Sequence, residues 1–228
     1  MSNRAPFAVG EWYHCYSRGV EGRQTFMSKA DYERCLHLLY LCNSVDTQHR
    51  SDLVAPTMES IVCIPRSGHV TAIGAYCLMP NHFHLLLRET TEGGITMFMR
   101  KLGTAYTMYF NIKNERTGNL FVKPFRSRHI ENDRYLQYVL QYIHFNPAEL
   151  YEPGWKHGRA ENLSRLYTQL TQYPYSSFGD HAGLNKVTRP ILDEQIFSVA
   201  HQPSPKQMLE DAALFYAECA HQGDTLPA

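Results

Sequence analysis

The stretch Tyr76-Cys77-Leu78-Met79-Pro80-Asn81-His82-Phe83-His84-Leu85-Leu86-Leu87-Arg88 constrains this chain more than any other. It reads as a strand, a tight turn at Pro80-Asn81 and a second strand. Successive strand side chains point to opposite faces, so His82 and His84 share one face and Phe83 points into the core beneath them. The run Leu85-Leu86-Leu87 is apolar at every position, which predicts a sheet buried on both faces. Two imidazoles on one face of a rigid strand can hold one metal ion from one side and leave the rest of its coordination sphere open. A His-x-His pair beside a turn is by itself more often a pair of solvated or hydrogen-bonded surface residues, so other segments have to decide.

The rest of the chain falls around that stretch. Residues 11–16 alternate as a first strand. Ser28-Lys29-Ala30-Asp31 has the form of a capping box, and Tyr32, Cys35, Leu36 and Leu39 recur behind it at helical spacing, giving a helix that ends near Asn43. Residues 44–68 are polar and read as an insertion, a small hairpin with residues 61–64 as one strand. Residues 70–79 and 82–88 are the next two strands. Gly93-Gly94 opens a helix whose core stripe is Ile95, Phe98, Met99, Leu102, Tyr106 and Phe110. Residues 120–130 read as a basic strand with interleaved aromatics, the composition of a nucleic-acid surface. The order strand, helix, strand, strand, helix, strand predicts an α+β, ferredoxin-like fold: an antiparallel sheet with two helices packed on one face.

A third helix follows, capped by Asn132 or Asp133 and running through Leu136, Val139, Leu140 and Ile143 to Pro147. A short helix around residues 162–170 and helical stretches over 193–199 and 205–219 complete the chain. The expected organisation is a catalytic domain over residues 10–180, with the insertion at about 44–69, and an acidic, mostly helical extension over 181–228.

Composition narrows the class. The 228 residues hold six cysteines without a Cys-x-x-Cys pair, so they read as reduced residues of a cytoplasmic protein and not as a zinc site. No apolar run approaches membrane-spanning length and no signal peptide opens the chain. The net charge is zero, but it is unevenly spread. Residues 97–130 carry seven basic side chains against Glu115 alone, and residues 191–228 carry six acids against Lys206 alone. A neutral chain can therefore present a positive surface.

The chemistry sits where the histidine pair meets the third helix. Residues four apart share a helix face, so Tyr138, Tyr142 and Asn146 form one row. A helix lying across the sheet would set Tyr142 beside His82 and His84 and offer Asn146 as an oxygen ligand. Two imidazoles and an amide oxygen, with open positions for water and phosphate oxygens, suit Mg²⁺ or Mn²⁺. A phenol with an ordinary pKa near 10 is a weak nucleophile, and a metal on a phosphate oxygen makes its target more reactive. Tyr138, one turn earlier, is the rival nucleophile. Arg18, Arg23, Lys123, Arg126 and Arg128 are the candidate DNA contacts.

Met79-Pro80-Asn81-His82-Phe83-His84-Leu85-Leu86 and Tyr142-Ile143-His144-Phe145-Asn146-Pro147 resemble the two signatures of the HUH single-tyrosine transposases, and within them the REP-associated tyrosine transposases. Tyr13-His14, Arg18-Gly19, Gly118-Asn119-Leu120-Phe121, Phe125-Arg126-Ser127-Arg128 and Tyr173-Pro174-Tyr175-Ser176-Ser177 support the resemblance, which covers roughly residues 10–180. It implies that His82, His84 and Asn146 hold the ion and that Tyr142 is the nucleophile. It implies cleavage of single-stranded DNA beside imperfect hairpins, a 5′-phosphotyrosine intermediate, and action as a monomer or homodimer. The chain departs from the family in the insertion, in Pro147-Ala148-Glu149-Leu150, which lacks the usual basic residue after the tyrosine helix, and in residues 158–171. The expected function is a metal-dependent DNA endonuclease and strand transferase. The alternatives are a repeat-DNA-binding protein with little or no cleavage, and a phosphoesterase that uses water.

Overall fold

The computed structural model describes residues 6–46, 56–199 and 204–222. Four strands form one antiparallel sheet: β1 (Trp12–Arg18), β2 (Thr71–Met79), β3 (His82–Glu89) and β4 (Arg126–Ile130), in the order β2-β3-β1-β4. Helices α1 (Lys29–Leu41) and α3 (Gly94–Lys113) cover one face. Their cluster takes Leu39, Phe98 and Leu102 from the helices and Ile73, Leu85 and Leu87 from the sheet. The expected ferredoxin-like arrangement is present, and the expected stripe along α3 is buried from Ile95 to Phe110.

Helix α4 (Asp133–Phe145) crosses the other face. Leu136, Val139, Leu140 and Ile143 pack there against Trp12, Leu86 and Ile130. Leu86 thus belongs to one core and its neighbours Leu85 and Leu87 to the other, as strand alternation requires. Asn132 caps α4, its Oδ1 accepting from the Tyr135 amide at 2.9 Å. At α1 the Asp31 carboxylate accepts from the Met27 and Ser28 amides, at 2.9 Å each, and pairs with Lys113 Nζ at 2.6 Å. One side chain therefore starts α1 and ties it to the last turn of α3.

Two elements differ from expectation. Residues 61–64 are not a strand: α2 (Met58–Val62) starts at an N-cap on Thr57 and buries Ile61. Tyr40 holds its end, donating from Oη to the Val62 and Ile64 carbonyls at 3.0 Å each. Part of the expected insertion, residues 47–55, lies outside the described residues. The long basic strand is also broken: Arg126–Ile130 forms the ladder with β1, and before the break Phe121 makes an isolated bridge to Gly19 while the Val122 amide donates to the Arg18 carbonyl at 2.9 Å. Pro124 cannot donate to a ladder, and Leu120 and Phe121 turn into the α1/α3 core instead. Tyr106 is likewise core, its Oη donating to the Thr25 carbonyl at 2.6 Å.

The remaining chain closes the free edge of β2. Leu78 donates its amide to the Tyr175 carbonyl at 2.9 Å, Ser177 donates to Tyr76 at 3.0 Å, and Tyr173 Oη donates to the Leu78 carbonyl at 2.7 Å. A covered edge cannot recruit another chain's strand. Helices α5 (Ala148–Tyr151), α6 (Leu163–Gln172), α7 (Phe178–His181) and α9 (Pro205–Gln222) build a third cluster, with Phe145, Trp155, Leu170, Phe178 and Leu209 inside it, while α8 (Ile196–Val199) packs outside that cluster. The acidic C-terminal stretch is packed in: Ile191 and Leu192 join the α1/α3 core, Ile196 the α4 core, and α9 lies on α4 and α6. Cys15, Cys35 and Cys77 are buried free thiols, as expected. Among the described residues no helix is long and apolar enough to cross a membrane.

Candidate active site

Helix α4 covers only part of its sheet face. Beyond its C-terminal end the face opens into a pocket of about 590 Å³, lined by Tyr16 and Arg18 from β1, His82 and His84 from β3, and Arg126 from β4. Strand register puts them together: Tyr16 lies opposite His84, Arg18 opposite His82, and Tyr16 opposite Arg126. Tyr142, Asn146, Glu149 and Lys156 close the pocket from the helical side.

His82 and His84 share the face as the alternation demanded, their ring centroids 4.9 Å apart. Asn81 Nδ2 donates to the Gly22 carbonyl at 3.3 Å, so its Oδ1 is the atom that meets His82 Nδ1 at 2.7 Å. An amide oxygen only accepts, hence Nδ1 carries the proton and the lone pair of neutral His82 is on Nε2. That nitrogen faces Asn146 Oδ1 at 3.1 Å. Two acceptors so placed match the ~3 Å edge of an octahedral shell with bonds of about 2.1 Å, the geometry of a small divalent ion. His84 Nδ1 meets His14 Nε2 at 2.9 Å. When Nδ1 donates, Nε2 of His84 is the free ligand nitrogen, oriented by a second imidazole as metal-binding histidines commonly are.

Electrostatics keep these rings neutral, the state a ligand needs. Burial lowers the pKa of His82, opposed by the hydrogen bond that the protonated ring would donate to Asn146 Oδ1 and reinforced by Lys156 and Arg18. Burial drives His84 well below the ordinary value, with His14, His82 and Lys156 adding to it. Burial and then Arg128 bring His14 down to about 4. Tyr142 stands with its ring 5.2 Å from His84 and 5.7 Å from His14, edge to face. Burial raises its pKa, partly offset by the Asn146 hydrogen bond, so at neutral pH it is a protonated phenol.

The residues expected to do chemistry, His82, His84, Asn146 and Tyr142, come together in this one pocket. The expected DNA contacts divide. Arg18 and Arg126 line the pocket. Arg128 follows on the same face of β4, over the Tyr135 ring at 5.4 Å. Arg23 stands apart, paired with Glu21 at 3.1 Å, and Lys123 lines a groove beside α3 instead. Tyr138 lies on the α9 side of α4, its ring 6.4 Å from Phe215. His144, two residues on from Tyr142 and so turned to the other side of α4, is buried on a Ser177 hydrogen bond of 3.1 Å. The sequence reasoning missed His14, Tyr16, Glu149 and Lys156. Alternation along β1 could have set His14 and Tyr16 beside Arg18, but only the register shows which histidine they meet.

A family model described as "Transposase IS200 like" matches residues 32–146. A solved structure described as "Structure of the REP associates tyrosine transposase bound to a REP hairpin" superposes with a TM-score of 0.50 at 16% identity, covering 82% of this chain and 90% of that one. At that identity the likeness is one of fold. No curated protein matches the chain.

Proposed function

The chain belongs to the IS200-like transposase family, and from that premise we propose that it is a metal-dependent endonuclease and strand transferase for single-stranded DNA at hairpins of the repetitive extragenic palindrome type. The observation that carries this is the convergence of His82 Nε2 and Asn146 Oδ1, 3.1 Å apart, beside the Tyr142 ring in an open pocket with arginines on its floor. The hairpin bound by the solved relative of the same fold supports the choice of substrate.

In this reading His82, His84 and Asn146 hold Mg²⁺ or Mn²⁺, and the ion, when bound, would draw charge from a phosphate oxygen. Arg18 and Arg126 orient the strand by its phosphates. Tyr142 Oη attacks phosphorus, the 3′-oxygen leaves and takes a proton, and the phenolic proton passes to water. The products are a 5′-phosphotyrosine and a free 3′-hydroxyl. The phosphodiester energy is retained, so a second 3′-hydroxyl can reverse the step and rejoin strands. A hydrolase acting by water has no need of this tyrosine.

The test is covalent trapping. Labelled hairpin oligonucleotides with single-stranded arms are incubated with the protein and Mg²⁺ or Mn²⁺, then denatured. A labelled protein band that is lost in Tyr142→Phe and in the His82→Ala/His84→Ala double variant is expected. Persistence of the band in Tyr142→Phe would move the nucleophile, with Tyr138 next in line. Tight binding without any band would favour a hairpin-DNA-binding protein that does not cut.

A further inference from the structure

The first basic side chain after Asn146 in the sequence is Lys156, and two acids, Glu149 and Glu152, precede it. The fold nevertheless brings that cation back to the pocket. Residues Trp155–His157 form a single 3-10 turn between Gly154, at φ +98°, and Gly158, at φ +69°. Both glycines occupy the left-handed region that other residues rarely adopt, so the turn is set by the chain itself. Trp155 is 1% exposed and packs against Phe145 and Tyr216, at centroid distances of 6.4 and 5.6 Å.

Glu149 fixes the turn from the pocket side. Its Oε1 accepts from the Lys156 amide at 2.8 Å and its Oε2 from the Gly154 amide at 3.4 Å. Glu152 is engaged in the same way by the amides of Glu161 and Asn162. Both carboxylates are thus used on backbone, and among the described residues Lys156 makes no ion pair. Its Nζ lies 5.4 Å from the centre of the Tyr142 ring, in the same pocket as His82 and His84.

We propose that Lys156 binds a non-bridging oxygen of the phosphodiester that Tyr142 attacks, and that Glu149 is the positioning residue that holds it there. The inference rests on Tyr142 being the nucleophile. As the bond from Oη to phosphorus forms and the bond to the 3′-oxygen breaks, charge stays on the non-bridging oxygens. The histidines face that phosphate from the sheet, Asn146 from the end of α4, and Lys156 from the tyrosine side. A compact ammonium on a flexible stem reaches one oxygen without dictating the orientation of the strand. Its place against the phenol ring also restrains Tyr142 in the attacking rotamer.

The experiment measures two quantities on a hairpin oligonucleotide with a labelled single-stranded arm: the single-turnover rate of adduct formation, and the salt dependence of affinity. Lys156→Met keeps the apolar stem and removes the charge. It is expected to slow adduct formation by about 10²-fold, as loss of a transition-state donor does. It is also expected to lower the salt slope by about 0.7, the share of one phosphate contact on a single strand. Lys156→Arg should restore the slope. Glu149→Ala should behave as Lys156→Met, and Glu149→Gln, which keeps an acceptor for the Lys156 amide, should stay near wild type; a loss that merely reflected unfolding would show in the melting curve instead. Wild-type rate and slope in Lys156→Met, with Tyr142→Phe inactive, would overturn the inference and leave the nucleophile standing. If the wild type bound the DNA without forming an adduct, the nucleophile would fall, and an unchanged slope in Lys156→Met would then remove the phosphate contact as well. A protein that bound no such DNA would overturn both.

Discussion

The two faces of the sheet share every strand and use them for opposite ends. On one face Phe83, Leu85 and Leu87 of β3 meet α1 and α3 along the whole strand, and the core is continuous. On the other, Leu86 meets α4, while His84 and His82 run on past the end of that helix into the open pocket. The same alternation that makes a closed core on one side makes a row of polar groups on the other. Stability is concentrated where the cover is complete, and reactivity where it stops short. A site built on the back of a filled core needs few residues of its own to be rigid.

The largest effect expected from this contrast is at Tyr142. Tyr142→Phe keeps the ring and its packing, so the melting temperature should stay within about 1 kcal/mol of wild type in stability terms. Adduct formation should fall by about 10⁴-fold or more, as for loss of a nucleophile elsewhere. A large loss of stability in Tyr142→Phe would mean that the phenol, and with it the open face, carries the fold.

Leu85→Ala is the counterpart on the closed face. Leu85 is fully buried, and removing its side chain there should cost about 2–5 kcal/mol by urea unfolding, with the pocket geometry kept. At a temperature where the variant is folded it should still form the adduct. If it lost the adduct while folded, the two faces would be coupled more tightly than their separate cores imply.

Much of this division can be read in the sequence because it depends on local rules. The His-Phe-His-Leu-Leu-Leu run fixes which β3 residue goes to which face, and the spacing of Tyr142 and Asn146 fixes the row on α4. What could not be read depends on partners distant in sequence. His14 reaches His84 only through the β1–β3 register. Lys156 reaches Tyr142 only through a turn held by Glu149 and Trp155. The two misassigned elements failed where weak local signals met packing: residues 61–64 turn into a helix end under Tyr40, and the basic strand loses its first half to Pro124 and to the burial of Phe121.

Acid should separate the faces next. His14 is pushed down to about 4 by burial and Arg128, against 6.5 in the unfolded chain. The unfolded chain takes up that proton first, so the imidazole costs nothing at pH 7 and withdraws stability as the pH falls below 6.5. By pH 4 the loss approaches about 3 kcal/mol from His14. His84 shifts in the same direction. Urea midpoints between pH 7 and pH 4.5 should fall for the wild type, and less steeply for His14→Gln, whatever the starting stability of that variant. Equal slopes would mean that His14 is not held neutral, and the acid sensitivity of the polar face would then rest on His84.

The smallest effect tests whether DNA stays on the open face. Arg126 lines the pocket, whereas Lys123, three residues earlier, lines the groove beside α3 on the closed side. Both side chains are solvent-exposed, so neither alanine variant should change stability by more than about 0.5 kcal/mol. If the strand runs only through the pocket, Arg126→Ala weakens binding several-fold and lowers the salt slope by about 0.7, and Lys123→Ala leaves both unchanged. The chain between them supports that outcome, because Pro124 and the inward turn of Phe121 and Phe125 separate the two cations and direct them to different sides of the β4 edge. Equal losses in the two variants would break the comparison. They would mean that DNA passes around that edge and reads the groove beside α3 as well, so that the face filled for stability also takes part in binding.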